Sequence, residues 1–388
     1  MTTSRPLIMT VYGTRPEAIK VAPVIKALEA STELDSVTVV TGQHREMLDQ
    51  VNTIFGITPD HDLDIFEHGA SLSMIVARVL ERLDPVLEAE KPAAVVVQGD
   101  TSTSTAAALA AFHRGIPVVH VEAGLRSGNI LSPFPEEANR KITSQIAALH
   151  LAPTSTSKAN LQRESVADDD ILVTGNTVID ALLMTVEKKT PFSDPVLEDL
   201  ADSGSRILLV TTHRRENWGG AMEGVGRSLA RIAKAFPDVQ VVLPAHRNPV
   251  VREAVLPHLE GLDNVTVTEP LAYGEFTRLL SLATVVLTDS GGVQEEAPSL
   301  GKPVLVMREN TERPEAVDAG TVKLIGTDEE RIVDEVTTLF TDEVAFEAMA
   351  QATNPYGDGS SAARSVAAIR HLINGGSRPA DWQVGTTR

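Results

Sequence analysis

The sequence predicts an α/β protein of two Rossmann-like, doubly wound domains facing a cleft, and three observations carry that prediction. Short apolar runs rich in β-branched residues alternate with longer helical patterns, and the alternation lapses over 187–205 and then restarts. The chain has 388 residues, whereas single hydrophobic cores stop growing near ~250–300 residues, so two domains are expected.

In the first half, LIMTVYG (7–13), SVTVVTG (36–42), AAVVVQGD (93–100), PVVHVEAG (117–124), HLAPTS (150–155) and ILVTGN (171–176) read as strands. They are apolar on both faces, which indicates a parallel sheet covered on both sides by helices. Helices are expected at 72–90, 102–114 and 136–149, the last opened by Pro135 at a favoured first-turn position. The segment EKKTPFSDPVLEDLADSGS (187–205) is polar, holds two prolines and reads as a linker. A second series follows in RILLVTTH (206–213), VQVVLPAH (239–246), VTVTEP (265–270), TVVLTDSGG (284–292), PVLVM (303–307) and VKLIG (322–326). The expected domains are 1–180 and 181–360, then a helix over 361–374 and a loosely held tail, GGSRPADWQVGTTR (375–388).

Composition narrows the function. Hydrophobic residues are 42% and charged residues 22%, ordinary for a globular protein. The net charge of −19 would repel nucleic acid and anionic lipid, so neither is an expected partner, and a phosphorylated ligand needs a local basic site. Cysteine is absent, which removes disulfides and thiolate chemistry. With no apolar stretch of ~18 residues and no evident signal peptide, a cytoplasmic protein without membrane contact is expected.

Ligands of open parallel sheets bind at the carboxyl ends of the strands, so residues there are the candidates. GTRPEAIK (13–20) is a glycine turn leading into a helix, with Arg15 and Lys20 near its mouth. Amides at a helix start and a guanidinium fork suit a diphosphate, and the spacing is neither a Walker loop nor GxGxxG. Glu17 reads as a first-turn partner of the helix dipole. TDSGGVQEEA (288–297) places Ser290, Gly291 and Gly292 before a helix, where glycines let the backbone close on phosphate oxygens. Glu296, one turn on, suits ribose hydroxyls. Asp100, Glu122 and Glu136 stand together at strand ends and suit a base, an acid and a stabiliser of an oxocarbenium-like centre. Each also has a structural alternative: Asp100 capping the helix near Thr101, Glu122 bonding loop amides, Glu136 pairing with Arg140 at i,i+4. His213 and His246 end strands and can bond phosphate or relay a proton. No grouping has metal-ligand spacing, so no metal is expected.

GTRPEAIK, TGQHREMLDQV (41–51), QGDTSTS (98–104), HVEAGLRSGN (120–129), PFPEEANRK (133–141), THRRENWG (212–219), DSGGVQEEAP (289–298) and RENTERPEAV (308–317) together closely resemble the non-hydrolysing UDP-N-acetylglucosamine 2-epimerases over about 13–320. The resemblance implies the GT-B type of two-domain arrangement, a homodimer, and a final helix returning to the first domain. It implies elimination of UDP to a 2-acetamidoglucal and re-addition to give UDP-N-acetylmannosamine, a precursor of surface polysaccharides, with neither nicotinamide nor metal. By the same resemblance Asp100, Glu122 and Glu136 are the acid/base carboxylates, with His213 beside the diphosphate or sugar. Arg15, Lys20, Arg140, His246, Ser290, Gly291, Gly292, Glu296 and Arg313 are substrate-binding, and Phe276 is the neighbour of the uracil. A second, activating substrate site of some members maps to Gln43, Glu136, Arg214 and His246. Glu46 and Gly69 stand where those members carry a glutamine and an arginine, and the missing guanidinium weakens the expectation of activation. PAHRNP (244–249) also departs from the family's usual valine before the histidine.

Overall fold

The apolar runs become two separate parallel sheets in the computed structural model, which describes residues 5–42, 45–67, 69–212 and 220–385. Contacts divide the chain into two units, one formed by residues up to Ala181 with those from Tyr356 onward, the other by Leu182–Pro355.

The first unit holds β1 (Leu7–Tyr12), β2 (Asp35–Val40), β3 (His61–Asp62), β4 (Ala94–Gln98), β5 (Val118–Val121), β6 (Leu149–Ala152) and β7 (Ile171–Val173), in the order β3-β2-β1-β4-β5-β6-β7. Every pair is parallel, so each connection is a crossover through a helix. Its helices are α1 (Arg15–Glu29), α2 (Arg45–Phe55), α3 (Leu72–Glu90), α4 (Ser102–His113), α5 (Glu136–Ile146), α6 (Ser155–Arg163) and α7 (Thr177–Val186), which carries the chain across into the second unit. The two-residue period of a strand sends alternate side chains to opposite faces. Met9, Val11, Val95 and Val97 pack with Leu83, Leu87 and the alanines of α4 on one side. Ile8, Val96 and Val119 pack with Val24 and Leu28 on the other. The strand order reverses between β1 and β4, and the switch point opens there.

The second unit repeats the plan with β8 (Arg206–Thr211), β9 (Val239–Pro244), β10 (Val265–Thr268), β11 (Val285–Thr288), β12 (Val304–Val306) and β13 (Val322–Leu324), ordered β10-β9-β8-β11-β12-β13. Its helices are α8 (Pro195–Ser203), α9 (Gly220–Ala235), α10 (Pro249–Val255), α11 (Tyr273–Leu282), α12 (Gly291–Glu296), α13 (Pro314–Asp318), α14 (Glu329–Thr341) and α15 (Glu343–Ala350). The chain then re-enters the first unit, where α16 (Ser361–Asn374) lays Ala362, Ala368 and Ile369 into the core beside Val24 and Leu28 of α1.

Three local expectations change. The helix expected over 136–149 stops at Ile146, because Ala148 already donates its N–H to Val118 at the start of the β5–β6 pairing, and Pro135 is its cap residue rather than its first turn. The segment read as a linker contains α8, opened by Asp194 and Pro195 and closed by Gly204 in the left-handed region. Arg278 of α11 fastens it, bonding both oxygens of Glu198 at 2.8 Å and stacking 4.4 Å over the Phe192 ring. Finally, the tail over 375–385 is not loose. Asp381 accepts the Val173 N–H at 2.8 Å and pairs with Lys158 at 2.7 Å, while Trp382 donates its N–H to the Val173 carbonyl and lies buried under Arg364. Glycine and proline content signals a loop; it does not reveal that one aspartate and one indole will dock on a strand edge.

Ending the chain after Gly376 is therefore expected to lower the unfolding free energy by roughly 2–3 kcal/mol, the value of a buried aromatic side chain, in urea denaturation. An unchanged midpoint would mean the docking carries no weight.

Candidate functional site

In the first unit the loops after β1, β4, β5 and β7 come together at the carboxyl edge, and hydrogen bonds tie each to the next. Thr14 caps α1, and Glu17 completes a capping box by accepting the N–H groups of Gly13 and Thr14 at 3.1 and 2.7 Å. Its other oxygen accepts the Thr101 hydroxyl at 2.7 Å, so this buried carboxylate straps the turn of Arg15 to the turn of Asp100. Burial pushes its pKa up. Arg15 itself is half-buried at the first turn, and its guanidinium has no hydrogen bond or ion pair to another described residue.

Asp100 follows Gly99, whose φ of +68° turns the chain off the strand end. The cap of α4 is Thr101, not Asp100, which frees the Asp100 carboxylate for Arg140: Oδ2 lies 2.8 Å from Nε and 2.6 Å from Nη2. Arg140 also bonds Glu137 at 3.1 Å, and Glu137, fully buried, accepts the N–H groups of Ser127 and Gly128. The expected Glu136–Arg140 pair is therefore not formed. One oxygen of Glu136 is buried with no hydrogen-bond donor among the described residues, beside these groups at the start of α5.

Glu122 closes β5 with φ +62°, a region glutamate rarely enters, and strain of this kind gathers where a side chain must be aimed. Its carboxylate accepts Lys20 Nζ at 2.5 Å, Gln98 Nε2 at 2.5 Å and Asn176 Nδ2 at 3.0 Å, from three different segments. Lys20 and Glu122 are 19% and 6% exposed, so each charge is largely withdrawn from water and compensated by the other.

In the second unit, the Thr211 and Thr288 hydroxyls join β8 to β11 at 2.6 Å, and Thr288 accepts the Ser290 N–H at 2.9 Å. Ser290 leads into α12, where Gln294 donates back to the Ser290 carbonyl and accepts from Thr311. The glycine turn is thus tied to the 308–313 loop. Arg313 pairs with buried Glu295 at 2.6 Å. Buried Glu296 accepts the Tyr273 hydroxyl at 3.3 Å, and its other oxygen would lie 3.6 Å from a Cβ on Gly292. Phe276 is half-buried one turn along α11 from Tyr273, whereas His246 is exposed, its Nδ1 accepting the Asn248 N–H.

Gln43, His213 and Arg214 lie outside the described residues; Glu46 falls in α2, and Gly69 has φ +76° with open space where a Cβ would point. Residue types alone did not single out Gln98, Glu137, Asn176, Tyr273 or Glu295. Gln98 and Asn176 carried a usable signal, since each stands at a strand end on the ligand-facing edge. Among the described residues, no three His, Asp or Glu side chains group to hold a metal, and no helix is long and apolar enough to cross a membrane.

Against this geometry, the family model described as UDP-N-acetylglucosamine 2-epimerase matches residues 26–370. The chain belongs to that family. It is 52% identical over 370 residues to the UDP-N-acetylglucosamine 2-epimerase of Escherichia coli K12, covering 94% of this chain and 98% of that one. A crystal structure of a putative UDP-N-acetylglucosamine 2-epimerase from Listeria monocytogenes, 46% identical, superposes with a TM-score of 0.93 over 98% of this chain and all of the other. The UDP-GlcNAc 2-epimerase of Neisseria meningitidis, bound to UDP-GlcNAc, is 46% identical with a TM-score of 0.81 over 95% of this chain and all of the other. With them this epimerase-family chain shares the GT-B type of fold, two Rossmann-like units in one polypeptide.

Behind the acid edge of the epimerase sheet stand two buried histidines. His120 donates from Nε2 to the Gly99 carbonyl at 2.7 Å, fixing the peptide before Asp100, and His150 is its neighbour across β5–β6. Burial depresses His120 to a pKa of about 4 and His150 to about 3. The unfolded chain then binds more protons, so stability is fully present above pH ~6.5 and is lost as pH falls toward 4, by about 1.4 kcal/mol per pH unit per histidine. Glu17 and Asp180, whose pKa values burial raises, act in the opposite sense. The comparison with a variant isolates the histidine: His120→Gln is expected to flatten the slope of unfolding free energy between pH 6.5 and 4 by about one proton. An unchanged slope would contradict a neutral His120.

Proposed function

We propose that the chain is a non-hydrolysing UDP-N-acetylglucosamine 2-epimerase that interconverts UDP-N-acetylglucosamine and UDP-N-acetylmannosamine. One observation carries the reading: in a chain 52% identical to a UDP-N-acetylglucosamine 2-epimerase, Asp100 and Glu122 share one strand edge, each held in a fixed orientation by a cation, and Glu136 opens the helix that brings Arg140 to Asp100.

A carboxylate of this set takes the proton from C2 while the C1–O bond breaks, the electron pair forming the C1–C2 double bond of a 2-acetamidoglucal and UDP leaving with the bridging oxygen. UDP then attacks C1 as a proton returns to C2 from the opposite face. No electrons are exchanged with a cofactor, so the reading assigns none. Arg15 is a cation at the mouth of α1 whose guanidinium has no partner among the described residues, suited to diphosphate charge in a protein of net charge −19. The turn of Ser290, Gly291 and Gly292, with Arg313, takes the diphosphate from the second unit. Glu296 takes the ribose hydroxyls, Phe276 the uracil, and Lys20, Arg140, His213 and His246 complete the binding set. Gln43 and Arg214 belong to an activating site that Gly69 leaves without its guanidinium. The enzyme is read as a cytoplasmic homodimer supplying sugars for surface polysaccharides.

In heavy water, UDP-N-acetylglucosamine is expected to yield both epimers carrying deuterium at C2 and still attached to UDP. Asp100→Asn and Glu122→Gln are each expected to slow this by about 100-fold or more. Free N-acetylmannosamine as product would assign a hydrolysing epimerase, and turnover only with an added acceptor would assign a glycosyltransferase.

A further inference from the structure

The place where the chain leaves and re-enters the first unit meets the Glu122 carboxylate at one residue, Asn176. The chain crosses out after Ala181 and returns at Tyr356. Within the first unit these two segments are fastened together. The Asn176 N–H donates to the Tyr356 carbonyl at 2.6 Å, and Asp180 accepts the N–H groups of Ser361 and Ala362 at 3.2 and 2.8 Å, capping α16. Gly175, at φ +84°, has no room for a side chain, since a Cβ would come within 2.6 Å of Ser361 Oγ and 3.3 Å of the Tyr356 oxygen.

The orientation of the Asn176 amide is decided by its neighbours. Oδ1 accepts the Val178 N–H at 3.1 Å, as a cap does at the start of α7, so the NH2 end faces Glu122 Oε1 at 3.0 Å. With Lys20 on the same oxygen and Gln98 on the other, rotation of the carboxylate is stopped. Asn176 is 2% exposed, and its side chain serves both the cap of α7 and the acid.

We propose that Asn176 is the positioning residue for Glu122, aiming its carboxylate from the junction where the chain crosses between units. The proposal rests on the reading of Glu122 as one of the acid/base groups. A residue whose only role was to cap α7 could be exchanged for another cap without consequence for chemistry. A positioning residue could not, because the exchange changes what faces Oε1.

The test is Asn176→Asp, which has the same shape and keeps an oxygen on Val178 but sets a second carboxylate against Glu122. The epimerisation kcat at neutral pH is expected to fall about 10- to 100-fold with KM within about 3-fold, and the limb of the pH–rate profile governed by Glu122 to move up by about one pH unit or more, because adjacent like charges hold a proton more tightly. Asn176→Ser, which keeps a cap and removes the donor, is expected to lower kcat about 3- to 10-fold and to move the same limb up by roughly half a pH unit, because the charged carboxylate loses a hydrogen bond, and it decides the matter if the aspartate variant does not fold. Wild-type kcat and pH profile in the folded variants, or a loss of kcat accompanied by a lower Tm with an unmoved aspartate profile, would overturn the proposal. Glu122→Gln separates the two readings. Continued C2 exchange in that variant removes the catalytic reading and the proposal with it, whereas lost exchange beside a wild-type-like Asn176→Asp removes the positioning role alone.

Discussion

A carboxylate that is only 6% exposed must be compensated where it stands, and Glu122 is the point on which the first unit's edge is organised. Donors to it arrive from α1, the end of β4 and the loop after β7. Each segment is thus located relative to a charge rather than only to a hydrophobic neighbour. Moving any of them leaves a buried ion short of a partner, at a cost of several kcal/mol. Asp100 repeats the arrangement with Arg140 and Glu137. The edge is stiff because its electrostatics permit few alternatives.

The two units build their strand edges differently. In the first, acids are oriented by cations, and the backbone behind them is held by buried groups such as Glu17 and His120 that do not face the edge as free acids or bases. In the second, hydroxyl and amide bonds tie one loop to another, as Thr288, Ser290, Gln294 and Thr311 do around the glycine turn. Fixed dipoles and small residues suit an anion that must be held without being altered. Oriented carboxylates suit the atoms that change.

Much of this was legible in the residues. Strands buried on both faces show as unbroken β-branched runs, and both sheets follow from them. The candidate acids were legible from position alone, since Asp100 and Glu122 directly follow apolar runs. The partners were not. Arg140 is four residues from Glu136, so helical spacing suggests that pair, yet the arginine reaches across to Asp100, a contact 40 residues away in sequence. Neutralising Asp100 outweighs a local pairing of a few tenths of a kcal/mol. The same holds for Asn176 and Glu122, 54 residues apart, and for Asp381, which docks on β7 from 208 residues away. Local pattern encodes elements and their edges, while side-chain pairing across edges depends on topology.

The central claim is that the sugar leaves UDP and returns to it within one active site. Positional isotope exchange tests it most directly. Substrate labelled with oxygen-18 in the bridge between C1 and the β-phosphorus is incubated with the protein, and phosphorus NMR follows the label. Scrambling into the non-bridging β-phosphate oxygens, alongside deuterium entry at C2, is the expected result. Deuterium entry with the label still wholly in the bridge, and with no 2-acetamidoglucal or UDP detectable at equilibrium, would contradict the account.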